Sequence, residues 1–108
     1  MTGLSYKGRR DKGVRGEREV MSRLEEEGFD VRGLEGRGDH LASKLGVDGL
    51  PVLLHVEVKR QETLRIDEWC RQATEEAPFA STAICVYRRN EQPWRVVISL
   101  DDFLRLIK

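Results

Sequence analysis

The chain has 108 residues, 39% of them hydrophobic, which suffices for one core and hence a single domain over residues 1–108. No run nears the roughly 18 apolar residues of a membrane span, and the opening MTGLSYKGRR lacks the apolar stretch of a signal peptide, so a cytoplasmic protein is expected. The net charge is zero but polarised: residues 1–18 carry six basic side chains against Asp11 and Glu17, whereas residues 19–108 carry 13 against 17 acidic ones. A basic N-terminal arm, residues 1–10, with acidic groups elsewhere suits a protein that meets phosphate and also supplies metal ligands.

In chain order, Val14, Met21 and Leu24 recur on one helical face, predicting a helix from Asp11 to Glu27 with Gly28 as its stop. Phe29 to Leu34 reads as a short strand, and GRGDHLAS opens a second. Leu50 to Lys59, with Val52, Leu54, Val56 and Val58 at alternate positions, is the strongest strand, set off by the turn LGVDGLP. A second helix is expected over Ile66 to Ala77, capped by Asp67 and ended by Pro78. Strands at Ala83–Arg88 and Trp94–Ser99, split by RNEQP, and a helix at Asp101–Ile107 complete the order αβββαββα, one mixed sheet flanked by helices. Cys70 and Cys85 lack CxxC spacing and do not combine with His40 and His55 into a zinc pattern, so they read as reduced, partly buried thiols.

Three carboxylates and a lysine stand out. Period-two alternation puts Leu53, His55, Glu57 and Lys59 on one face of the strongest strand, so an acid and a base sit side by side. In an antiparallel hairpin turning about Asp48, within GVDG, Asp39 falls directly opposite Glu57, with Cβ atoms about 5 Å apart. Two carboxylates so close repel unless a cation lies between them, and hard oxygen ligands select Mg²⁺, with Mn²⁺ substituting. Asp48, the other aspartate of the hairpin, reads as turn chemistry. Glu17 shares the apolar helical stripe of Val14, Met21 and Leu24, where an unpaired carboxylate is costly; a pairing with Arg15 or Arg18 is the plain alternative. Glu19 faces away and reads as a surface partner of Arg23.

Taken together, KGVRGERE, GFDVRGLEGRGDH, HVEVKR and the helix containing WCRQA resemble the PD-(D/E)xK nuclease superfamily over about residues 9–77. Within it they resemble the archaeal-type and phage Holliday-junction resolvases. Gly38 stands where the signature has proline. The resemblance implies a restriction-endonuclease-like fold, with Glu17, Asp39 and Glu57 as metal ligands and Lys59 orienting or activating the attacking water. Gln72 matches a glutamine near the scissile phosphate, and Arg32 falls where relatives position substrate. On that footing Lys7, Arg9, Arg10, Lys12, Arg15, Arg32 and Arg37 are expected to contact DNA phosphates without reading sequence.

The expected activity is metal-dependent endonucleolytic cutting of branched double-stranded DNA, most directly a four-way junction, leaving 5′-phosphate and 3′-hydroxyl ends. Two symmetric cuts demand a homodimer, for which Trp69, Phe79, Trp94 and Phe103 are candidate interface residues, core packing being the plainer role of each. The alternatives are a nuclease of the same superfamily acting on flaps, ends or single strands, and a noncatalytic DNA-binding module.

Overall fold

The computed structural model describes residues 6–33 and 39–108, and of residues 6, 7, 9 and 10 the backbone alone. The elements follow in the predicted order: α1 (Tyr6–Glu26), β1 (Asp30–Gly33), β2 (Asp39–Leu45), β3 (Pro51–Arg60), α2 (Ile66–Glu76), β4 (Thr82–Arg88), β5 (Arg95–Val97) and α3 (Leu100–Leu106). The five strands form one mixed sheet in sequential order. β1, β2 and β3 pair antiparallel, β3 and β4 pair parallel, and β5 returns antiparallel to β4. Parallel pairing needs a crossover, and α2 supplies it. Among the described residues, no helix is long and apolar enough to cross a membrane.

Strand alternation sorts the side chains into two layers. Leu54, Val56, Ile84 and Val86, with Ala42 from β2, meet Val20 and Met21 of α1 in the main core. The opposite face of β3 and β4 carries His55, Glu57, Lys59, Cys85 and Tyr87 toward α2, whose Trp69 and Ala73 are buried. Trp69 and Tyr87 rings lie 5.7 Å apart. The sheet is thus covered on both faces, and α2 closes over polar groups instead of a purely apolar layer. Gly16 lets α1 approach closely: a Cβ there would stand 3.2 Å from both Arg60 Cβ and the Trp94 ring.

Several expectations are corrected in detail. α1 begins at Tyr6 instead of Asp11, so residues 6–10 of the basic arm are helical. Asp67 does not cap α2; the cap is Arg65, which makes no side-chain cap bond, and Asp67 lies in the first turn, where its charge still favours the helix dipole. Glu19 does not pair with Arg23. It accepts from Trp94 Nε1 at 2.9 Å and lies 3.6 Å from Arg88, because α1 packs beside the end of the sheet. Of the proposed interface aromatics, Trp69 is buried, whereas Phe79 is fully exposed and has no part in the core. Asp48 serves the turn as expected: its Oδ1 accepts from Leu50 N at 3.0 Å beside Gly49 at φ +78°. Both cysteines are free, Cys85 buried and Cys70 partly so.

Candidate metal centre

The hairpin register is the one the turn about Asp48 predicts: Asp39 faces Glu57, and Leu41 faces His55. Both carboxylates are buried, Asp39 at 1% exposure and Glu57 at 4%. α2 adds a third, Glu76. One ligand atom each from Asp39, His55, Glu57 and Glu76 lie within 4.8 Å of one another. The helix brings Glu76 there because it stands one turn beyond Gln72, whose Nε2 donates to it at 3.3 Å. Gln72 Oε1 in turn accepts from Lys59 Nζ at 3.0 Å. Lys59 and Gln72, each singled out separately by the resemblance, are thus joined by a hydrogen bond.

Electrostatics mark Glu57 as a strongly perturbed carboxyl. Burial, a hydrogen bond with Glu76 and repulsion from Glu76 and Asp39 push its pKa up to about 7, against the pull of Lys59. Its Oε1 is buried without a hydrogen-bond partner among the described residues. A divalent cation answers both features at once, neutralising crowded carboxylates and occupying the unsatisfied oxygen. The donor set fits such an ion.

Sequence reasoning put His55 on the Glu57 face, as a group packing beneath the site or touching DNA, and gave it no part in the metal site. The residue is fully buried. Its Nδ1 donates to Ala73 O at 2.8 Å, since a carbonyl can only accept, and its Nε2 lies 2.5 Å from Asp39 Oδ2. The ring thereby ties β2 to α2 through β3. Its signal in the sequence was its place two residues before Glu57 on the same strand face, and Glu76 showed itself only as Gln72 plus one helical turn.

Glu17 is not gathered into this cluster. It lies on the α1 side of the sheet in an open groove of about 350 Å³ with Val14, Arg18, Met21, Glu25 and His40. Burial raises its pKa, while the nearby charges of His40 and Lys59 act to lower it. Neither Arg15 nor Arg18 forms an ion pair with it. Among the expected phosphate contacts, Arg15 and Arg32 are exposed on α1 and β1. Lys12 is engaged by Glu62 at 3.3 Å, and Glu62 also binds Arg60 and the Asn90 backbone. Arg37 and the side chains of Lys7, Arg9 and Arg10 lie outside the described residues.

No protein-family model and no curated protein matches the chain. Among solved structures it is similar to Hjc of Archaeoglobus fulgidus, a Holliday junction resolvase from an archaeal hyperthermophile. The TM-score is 0.56 at 23% identity, covering 81% of this chain and 72% of that one. The likeness is one of fold.

Proposed function

We propose that this protein is a metal-dependent, structure-selective DNA endonuclease that resolves four-way junctions. The observation that carries the reading is the buried pairing of Asp39 with Glu57 across the hairpin, beside Lys59 held by Gln72. This arrangement occurs in a fold shared with a Holliday junction resolvase. Fold likeness alone would not supply function; the site does.

Asp39, Glu57 and Glu76 would hold a divalent ion of the Mg²⁺ or Mn²⁺ type, with Glu17 an additional carboxylate on the other side of the sheet. Bound there, the ion would supply positive charge to the scissile phosphate and acidify a water. Lys59 keeps its ammonium beside the carboxylates through Gln72 and stabilises negative charge developing on the phosphate oxygens. In-line attack by a water on the phosphorus, forming one P–O bond while the bond to the 3′-oxygen breaks, would leave 5′-phosphate and 3′-hydroxyl ends. Arg15 and Arg32, with the basic residues 7, 9, 10 and 37, place the duplex through phosphate contacts.

Symmetric cutting calls for two copies. Support for a homodimer comes from β5 and α3, where Val96, Leu100, Phe103, Leu104 and Ile107 are exposed and α3 buries no residue.

The test is a substrate panel of four-way junction, flap, nicked duplex and linear duplex, with Mg²⁺ or EDTA. Metal-dependent paired cuts confined to the junction are expected. Cutting mainly of flaps or ends would replace the resolvase reading with another nuclease of the same fold, and a monomer by light scattering would count against junction resolution specifically.

A further inference from the structure

Granted that the buried carboxylates hold a divalent ion, as proposed above, we infer that His55 is also a ligand of that ion, giving a mixed nitrogen and oxygen site that prefers Mn²⁺ to Mg²⁺. Nothing in the Glu-x-Lys pattern calls for a histidine at this position.

Two observations support this ligation. The first is the orientation of the ring. Histidines that bind metals through one nitrogen nearly always donate the other N–H to a carbonyl or carboxylate, which fixes the tautomer and aims the lone pair. His55 has that arrangement: Nδ1 donates to Ala73 O, and Nε2 points at Asp39 in the carboxylate cluster. The second is Glu57, 4% exposed, whose Oε1 lacks a hydrogen-bond partner among the described residues. An ion bound by Glu57 lies within reach of the His55 ring, because one ligand atom of each residue falls in a set mutually within 4.8 Å.

The distances also fit a bound ion. Nε2 and Oδ2 are 2.5 Å apart. Two ligands of one octahedral ion at about 2.1 Å stand about 3 Å from each other. Seating the ion therefore parts the pair by about half an ångström. Imidazole favours the first-row transition metals, whereas Mg²⁺ favours oxygen donors and retains its waters. A site with one imidazole among three carboxylates is therefore tilted toward Mn²⁺.

The chain has two histidines, and His40 lies on the other face of the sheet, opposite Val56 and in the groove with Glu17. Nitrogen ligation can thus be assigned directly. Untagged protein is loaded with one equivalent of MnCl₂ and measured by electron spin echo envelope modulation. The ¹⁴N signature of a bound imidazole is expected in wild type and in His40→Gln, and is lost in His55→Gln. Calorimetric titration of His55→Gln should show Mn²⁺ affinity down by at least about tenfold, since even outer-shell partners are worth that much, with a smaller loss for Mg²⁺. Bound Mn²⁺ without nitrogen coupling in wild type, or coupling lost in His40→Gln, overturns the ligand role of His55 and leaves the carboxylate site standing. Failure of folded wild type to bind Mn²⁺ at all overturns both. The wild-type and His40→Gln spectra decide the matter even where His55→Gln does not fold.

Discussion

Replacing Glu57 by glutamine should stabilise the metal-free protein while abolishing its response to metal. In the folded chain the Glu57 carboxyl is raised from 4.5 to about 7 by burial, by its hydrogen bond with Glu76 and by the neighbouring negative charges. A displacement of that size corresponds to a ceiling of about 3 kcal/mol opposing the charged form at pH 8. Glutamine keeps the shape and removes the charge, but it cannot reproduce the proton shared between the two carboxyls, so about 1–2 kcal/mol is expected. For a domain of this size that is roughly 5–15 °C in Tm. The sign with pH follows from linkage. Between about pH 4.5 and 7 the folded state holds a proton on Glu57 that the unfolded chain has released, so wild-type stability in EDTA should fall as pH rises through that window and level off above it. Glu17, also raised by burial, acts in the same direction. The assay is thermal unfolding from pH 5 to 8, in EDTA and in Mn²⁺. Wild type should lose Tm with rising pH in EDTA and regain it with Mn²⁺, whereas Glu57→Gln should be higher in EDTA at pH 8 and unmoved by metal. A lower Tm for Glu57→Gln in EDTA at pH 8, or wild-type stability rising from pH 5 to 8 in EDTA, would refute the reasoning.

Three further outcomes follow from the packing and the charges. Gly16→Leu should cost about 1–3 kcal/mol in denaturant unfolding, because its Cβ alone would press on Arg60 and Trp94 at 3.2 Å; an unchanged midpoint would show that α1 can shift outward. The thiol of Cys85, buried and pushed up to about 12, should resist iodoacetamide in the native protein at pH 8 and react after unfolding, as mass spectrometry of the alkylated chain would show; rapid native labelling at Cys85 would contradict its burial. Arg15→Ala and Arg32→Ala should each weaken junction binding and reduce the slope of log affinity against log salt by about 0.9 per lost phosphate contact, measured by fluorescence anisotropy; unaltered slopes would remove both residues from the DNA path.

Much of this site was legible because it lies on a strand pair whose register is set by a turn. Alternation in PVLLHVEVKR fixed the face shared by His55, Glu57 and Lys59, and the GVDG turn fixed Asp39 opposite Glu57, a pairing the sheet contains. What lay beyond the hairpin was harder to place. Glu76 depends on how α2 docks across the sheet, a tertiary choice that helix periodicity leaves open, although its one-turn spacing from Gln72 put the two on one side of the helix. His55 shared the face, but its partner Ala73 O is a backbone atom on another element, for which side-chain patterns carry no signal. Glu17 shows the converse. An apolar stripe correctly placed it toward the sheet, yet α1 covers the face opposite the cluster, so the helical pattern could not tell one side of the sheet from the other. Glu19 was misassigned for a related reason: its i+4 neighbour Arg23 was visible in the sequence, and Trp94, 75 residues away, was not.

The most direct test of the central claim is single-turnover incubation of the wild type and of Asp39→Asn, Glu57→Gln and Lys59→Ala with an end-labelled four-way junction in Mn²⁺, with the product ends mapped. Paired, symmetric cuts carrying 5′-phosphates are expected from wild type, and their loss from all three variants with junction binding retained. Absence of phosphodiester cleavage by folded, Mn²⁺-loaded wild type, or undiminished cutting by Glu57→Gln, would contradict the account.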